Sequence, residues 1–245
     1  MSTNRAIWPN RSQSSNINFM NDVKLPKSLW LWLPLAIMAV QIAVEVLATD
    51  TFAAWYISEQ GPVELSQSLI MCIGFVVALL TLRKLNPKTQ GWLMAWVGIA
   101  ALACFYITFE ELSWGQQILN WDTPEYWTQF NDQNETNLHN TSSWLDQKPR
   151  LVLEIGVLVG GLIIPLLIRF KPAWVPQKFA VIYPTNQLVL TAFIAFAVKL
   201  SDQTDKFLES VEIFHRDSEV GETYLFLFVL LYLLMLRRRI MQNKG

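Results

Sequence analysis

The densest group of chemically reactive side chains is the run EELSWGQQ at positions 110–117. Two adjacent carboxyl groups could serve as general acid and general base toward a bound substrate. If a helix continued through this run, Glu110, Ser113, Trp114 and Gln117 would share one stripe, with Glu111 beside Gly115. The run therefore predicts a polar pocket wall, with the catalytic candidates Glu110 and Glu111 and the pocket candidates Ser113, Gln116 and Gln117.

A second polar segment, NDQNETNLHN at positions 131–140, follows in the same connection, residues 113–150. That connection is too long for a simple link between helices in so small a protein. We expect Asn134, Glu135 and Asn137 to line the same pocket, and His139 to act as a second acid or base or as a ligand. A solvated loop explains the composition of this segment equally well, and both alternatives stay open.

Further carboxylates are predicted at the same level of the molecule, at the ends of apolar stretches. Glu64 and Glu154 fall in predicted first turns, where the helix dipole stabilises a carboxylate. Glu45, Glu110 and Glu111 fall near carboxyl-terminal ends and need a cation, a proton or a metal ion. Lys199 and Arg150 could each neutralise one of these three. Oxygen ligands suit Mg²⁺, Mn²⁺ or Ca²⁺, and the predicted metal ligands are Glu45, Glu64, Glu110, Glu111, Glu135 and Glu154.

The elements that must position these groups are membrane-spanning helices. The chain is 52% hydrophobic with 11 Trp, and six stretches approach the roughly 20 apolar residues that cross a hydrocarbon core of about 30 Å. The sequence therefore predicts an all-α, polytopic membrane protein. The six predicted spans are 29–49, 62–82, 91–112, 151–168, 179–200 and 221–236.

The basic residues predict the orientation of these helices. Fourteen of the 19 lysines and arginines fall in the N-terminal tail, the second and fourth connections and the C-terminus, which places both termini in the cytoplasm by the positive-inside rule. All acidic residues except Asp22 then fall on the outer side. Residues 1–28 are predicted to be a disordered cytoplasmic tail, and 29–245 a six-helix domain with an outer loop at 113–150. The predicted location is the bacterial cytoplasmic (inner) membrane.

Two resemblances follow from these motifs. The string EELSWGQ, followed by NETNLHN, resembles a group of small, uncharacterised, multi-pass bacterial membrane proteins, and this likeness implies no activity. The pair Glu110-Glu111 is similar, more faintly, to the Glu-Glu-x-x-x-Arg motif of CAAX-protease-type membrane proteins, which implies a glutamate and histidines that activate water. Here Gly115 stands at the arginine position, and the only histidines are His139 and His215.

Three functions agree with this pattern. The first is a hydrolase or transferase for a lipid or lipid-linked substrate at the outer leaflet. The second is a non-catalytic subunit or assembly factor that docks a basic partner protein through its acidic face, and the third is a cation-coupled transporter. The chain lacks the zincin, rhomboid and phosphate-loop motifs, and no nucleic-acid partner is expected. The bilayer itself is the one partner common to all three.

Overall fold

Helices make up most of the described structure. The computed structural model describes residues 23–58, 61–119, 121–128, 136, 138, 143–208 and 217–242. No strand occurs within these ranges, so the predicted all-α class is confirmed. The helices are α1, Leu33–Leu47; α2, Asp50–Tyr56; α3, Pro62–Leu82; α4, Pro87–Glu110; α5, Gln116–Leu119; α6, Glu125–Thr128; α7, Ser143–Leu158; α8, Ile164–Phe170; α9, Val189–Leu208; and α10, Asp217–Gln242.

Five helices are long and apolar enough to cross a membrane, which makes this a multi-pass membrane protein. A π-helical turn, Ser28–Trp32, precedes α1, and another, Val159–Ile163, joins α7 to α8. Both turns extend a continuous helix. The five candidate spans are Ser28–Leu47, Pro62–Leu82, Pro87–Glu110, Lys148–Phe170 and Ser218–Gln242.

The predicted span 179–200 begins later in the structure. Residues 177–182 and 186–188 form 3₁₀ turns around Pro184, and α9 begins at Val189. Proline has no backbone N–H to donate and disfavours helical geometry in the residue before it. The apolar part of this helix, Asn186–Ser201, is consequently shorter than the other candidate spans.

The core lies around α10. This helix packs chiefly against α3 and α9, and Tyr224, Leu227 and Leu231 are fully buried on it. The π-helical turn also packs closely here, because a Cβ at Gly161 would lie 2.4 Å from the Cβ of Ala192 and 2.8 Å from the ring of Phe228. A larger residue at position 161 would push α9 and α10 away from this turn.

The described end of the predicted N-terminal tail is packed. Val23 and Leu25 are buried, and the backbone of Leu25 exchanges hydrogen bonds with the amide of Gln187, at 2.7 and 3.2 Å. A guanidinium nitrogen of Arg238 donates to the carbonyl of Lys24 at 2.7 Å. The folded part of the chain thus extends back to Val23, while residues 1–22 lie outside the described residues.

Candidate functional site

A tight turn with unusual backbone angles ends α4. Ser113 and Trp114 have φ values of 45° and 55°, and Gly115 has a φ of 101°. Two successive non-glycine residues in the left-handed region are energetically costly, and such strain concentrates at functional sites. The helix does not continue through this run, because these left-handed residues cannot extend a right-handed helix. The predicted stripe from Glu110 to Gln117 therefore does not form.

The turn brings Trp114 back onto Glu110. The indole nitrogen of Trp114 donates to Glu110 Oε1 at 2.6 Å, and the backbone N–H of Leu138 donates to Glu110 Oε2 at 2.8 Å. The Trp114 ring also stacks on Phe109, with ring centroids 5.6 Å apart. Glu110 is buried, and these two donors hold both of its carboxylate oxygens in place.

Part of the predicted polar segment folds onto the same turn. The Thr136 hydroxyl donates to the carbonyl of buried Ser113 at 2.8 Å, and its backbone N–H donates to Gln116 Oε1 at 2.8 Å. The amide nitrogen Nε2 of Gln116 donates to Thr123 Oγ1 at 2.8 Å. Ser113 and Gln116 therefore tie the segment to the turn through their backbone and amide groups.

Five glutamates meet at this end of the bundle, and we name them the acidic cluster: Glu64, Glu110, Glu111, Glu219 and Glu222. Burial is the main cause that raises the pKa of Glu111 well above the ordinary value, followed by the negative charges of Glu222, Glu219, Glu64 and Glu110. Glu64 and Glu219 are themselves buried. Glu111 thus keeps its proton at a pH where an exposed glutamate has lost it. Glu64 lies in the first turn of α3, as predicted.

Two cations border the acidic cluster, but not at the predicted acids. Arg150 pairs with Glu222 and, through its Nε, with Glu154 at 3.3 Å. Lys199 Nζ also pairs with Glu154, at 3.0 Å. The prediction that these cations neutralise two of Glu45, Glu110 and Glu111 is wrong, because the fold places both of them at Glu154.

The helix-dipole explanation for Glu154 is also wrong. α7 begins at Ser143 and continues through Pro149, so Glu154 lies in the interior of the helix. Proline costs the helix one backbone hydrogen bond, but it does not end the helix here. The carboxylate is stabilised instead by the ion pairs with Arg150 and Lys199.

A polar contact between helices that the sequence analysis missed lies beside the acidic cluster. Gln67, fully buried, donates to the carbonyl of Glu219 at 3.0 Å and to Thr223 Oγ1 at 3.1 Å. Ser68 donates to the carbonyl of Thr108 at 3.2 Å. The Gln67 Oε1 atom is buried and accepts no hydrogen bond. The only available signal was spacing, because Gln67 follows Glu64 on the same helical face.

The remaining predicted ligands do not form a metal site in the described part of the chain. Glu45 lines a shallow cavity with Gln41, Tyr56 and Glu219, and burial raises the pKa of Tyr56. Glu154 is held by its two cations. No group of three or more His, Cys, Asp or Glu side chains within the described ranges is arranged to hold a metal ion. The divalent-cation hypothesis therefore gains no support from these residues.

Several predicted site residues fall outside the described residues: Asn134, Glu135, Asn137 and His139. Gln117 lies in α5, but its side chain is not described. Thr136 and Leu138, which contact the turn, were not predicted as individual site residues. Their position inside the polar segment 131–140 was the one signal that could have indicated them.

Comparison with known proteins gives no match. No protein-family model, no curated protein and no solved structure is significantly similar to this chain. Function is therefore inferred from the geometry of the acidic cluster.

Proposed function

We propose that the protein is a membrane-embedded hydrolase or transferase that acts on a lipid or lipid-linked substrate. The observation that carries this proposal is the adjacent pair Glu110 and Glu111 in two different environments. Burial, and after it the negative charges of four other carboxyl groups, raise the pKa of Glu111, whereas Glu110 is held by the Trp114 and Leu138 donors. Carboxyl groups in different environments can divide the roles of acid and base between them.

In this reaction Glu111 is the general acid and Glu110 the general base. For a hydrolysis, Glu110 takes a proton from the attacking water while Glu111 gives its proton to the leaving oxygen. In a transfer, the hydroxyl group of an acceptor replaces the water. The strained turn at Ser113 and Trp114 supports this assignment, because it fixes the indole donor on Glu110 at a cost that packing alone does not require.

Apolar side chains around the acidic cluster support a lipid substrate. Ile118 and Leu119 of α5 are 62% and 70% exposed, and Tyr126 of α6 is 68% exposed. Trp114 and Trp121 are also exposed. Aromatic and aliphatic side chains at the end of membrane helices suit the headgroup level of a bilayer, where the ester and phosphoester bonds of lipids lie.

We further propose that the chain crosses a bacterial inner membrane six times, with both termini in the cytoplasm. The shorter helix α9 then crosses together with the 3₁₀ turns that precede it. The acidic cluster then lies at the level of the outer leaflet. Reporter fusions that follow Thr128 and Gln242 test this arrangement: alkaline phosphatase is expected to be active only at Thr128, and the reverse pattern would overturn the orientation.

Two observations favour this function over the other two. A basic partner protein needs exposed carboxylates, and the cluster members Glu64, Glu110 and Glu219 offer it none, because they are at most 9% exposed. A transporter needs polar groups through the membrane. After Ser68, the next four buried residues of α3 are Met71, Gly74, Val77 and Ala78, and none of them has a polar side chain. This part of α3 therefore offers no polar groups to a transported ion.

The test is conversion of a lipid extract by the purified protein. Protein in vesicles of total bacterial polar lipid is incubated in ¹⁸O-labelled water, and products are identified by mass spectrometry. A hydrolase incorporates ¹⁸O, and a transferase forms product without it. Loss of acid or base catalysis should slow the reaction about 10²–10⁴-fold in Glu111→Gln and Glu110→Gln.

Glu125→Gln is the matched control, because Glu125 is an exposed glutamate in α6 of the same connection. It should retain the wild-type rate. Equal rates in all the variants, or no lipid converted by a folded wild-type protein, would overturn the proposed reaction.

A further inference from the structure

The segment between α8 and α9 carries alternating cations and aromatic rings at the opposite end of the bundle. We name residues 169–179 the basic aromatic segment. Arg169 lies over the Phe170 ring at 5.8 Å, Lys171 over Trp174 at 4.3 Å, and Lys178 over Phe179 at 4.6 Å. Each cation is thus paired with a ring from its own segment.

Neither the rings nor the cations of this segment are buried by the fold. Phe170 and Trp174 are 70% and 69% exposed. Arg169, Lys171 and Lys178 are exposed and, among the residues that the structure describes, form no ion pair with a carboxylate. Arg150 and Lys199, in contrast, are both bound to glutamates. The segment therefore presents three positive charges without anionic neighbours in the described structure.

The segment is nevertheless fixed in shape. Val175, Ala180 and Tyr183 are buried in a small separate core against α8, and the Tyr183 hydroxyl donates to the carbonyl of Pro176 at 2.7 Å. The backbone N–H of Trp174 donates to the carbonyl of Lys171 at 3.0 Å. Because the apolar residues that point inward anchor the turns, the cations and rings that point outward are already arranged before any ligand binds.

We propose that the basic aromatic segment binds the headgroups of anionic phospholipids in the leaflet at this end of the bundle. Lysine and arginine bind phosphodiester oxygens, and exposed aromatic rings lie at the level of the headgroups and glycerol backbones. The segment begins with the last two residues of the candidate span Lys148–Phe170, so its charges lie where a membrane helix ends. The positive charge excess selects anionic over zwitterionic lipid.

The test compares lipid retention by the full-length protein in detergent. Wild type and Arg169→Gln/Lys171→Gln/Lys178→Gln are equilibrated with equal amounts of phosphatidylglycerol and phosphatidylcholine, and bound lipids are counted by native mass spectrometry. Each cation near a charged lipid surface contributes about a five-fold preference. Wild type should retain phosphatidylglycerol at least about ten-fold over phosphatidylcholine, and the triple variant should lose most of this preference.

The matched control is Arg83→Gln/Lys84→Gln/Lys88→Gln. It removes three exposed cations from the connection between α3 and α4, so the net charge falls equally in both triple variants. The control should lose much less of the preference than the first triple variant. An equal loss in both triple variants, or no preference in wild type, would overturn the proposal, because the effect would then be one of overall charge or would not exist.

A second measurement does not depend on the folding of a triple variant. Wild type and Trp174→Phe are placed in nanodiscs with brominated phosphatidylglycerol or brominated phosphatidylcholine, and quenching of tryptophan fluorescence is recorded. The Trp174 signal is the difference in fluorescence between the two proteins, and brominated phosphatidylglycerol should quench it more strongly than brominated phosphatidylcholine. Inorganic phosphate at 50 mM, about a hundred-fold above the dissociation constant of a typical weak phosphate site, should leave this difference in quenching unchanged. Equal quenching by both lipids, or its loss on adding phosphate, would overturn a lipid-specific site.

Discussion

Buried charged residues have different neighbours at the two ends of the helix bundle. At the acidic end, five glutamates crowd one another around Glu111, with Arg150 at the edge. At the basic end, Arg239 of α10 is buried, and its guanidinium donates to the carbonyls of Val181 and Tyr183 at 2.8 and 2.6 Å. The charge of Arg239 is therefore satisfied by backbone groups, whereas several charges at the acidic end oppose one another.

This difference separates structural charges from candidate catalytic charges. A buried arginine that fills backbone acceptors stabilises a segment that has no regular helical hydrogen bonds of its own. Like charges held together cost free energy and persist only where other contacts stabilise the fold. We infer that the basic end determines the shape of the chain between α8 and α9, and that the acidic end preserves reactive groups at the expense of stability.

The largest effect is expected at Arg239. Arg239→Ala leaves the buried carbonyls of Val181 and Tyr183 without a donor and should lower the free energy of unfolding by about 3 kcal/mol, since each unsatisfied buried group costs about 1–3 kcal/mol. The apparent Tm in detergent measures this loss. Arg238→Ala, which removes a single exposed hydrogen bond to Lys24, should change the Tm far less. Similar losses in both variants would contradict the structural role of Arg239.

The next effect is expected at Arg150, which offsets the negative charge of the acidic end. Arg150→Gln removes the ion pair with Glu222 and should cost about 2 kcal/mol, below the value for a fully buried pair because both side chains are partly exposed. Adding Glu222→Gln should restore part of the lost Tm. Lys148→Gln, an exposed cation in the same helix, is the control, and an equal loss there would show that Arg150 has no special role.

A smaller effect, opposite in sign, is expected at Glu111. Because the folded-state pKa lies above the unfolded value, the folded protein binds more protons, and stability is lost as pH rises through the raised pKa. Glu111→Gln stays neutral, so its Tm should exceed that of wild type at alkaline pH. The corresponding gain in the free energy of unfolding is about 1.4 kcal/mol for each unit of pKa shift. At acidic pH the two curves should converge. A difference in Tm between Glu111→Gln and wild type that does not grow as pH rises would contradict the raised pKa of Glu111.

The smallest effect is expected at the strained turn. Ser113→Gly permits a φ of 45° without steric cost and should raise the free energy of unfolding by about 0.5–1 kcal/mol. If the strain supports catalysis, the same variant should convert lipid more slowly than wild type although it is more stable. Gly115→Ala, at a φ of 101°, should instead lower the Tm. A Ser113→Gly variant that is both more stable and fully active would assign the strain to the backbone alone.

Sequence reasoning succeeded for the elements and less well for their contacts. Periodicity and hydropathy predicted the span 62–82, which matches α3, because about 20 consecutive apolar residues have few alternatives to a membrane helix. The start of α9 was placed too early, since the hydropathy of residues 179–188 does not reveal the 3₁₀ turns around Pro184. Glu110 and Glu111 were recognised by type and adjacency alone.

The sequence by itself determined the helical class and the multi-pass membrane character. These properties depend on the composition and order of the residues and not on contacts between distant parts of the chain. Only the tertiary structure decided that Lys199 binds Glu154, that Arg150 binds Glu222, that Gln67 reaches Thr223, and that Leu138 donates to Glu110. Those contacts join residues that are distant in the chain, or depend on a turn at Trp114 whose backbone angles no local pattern favours.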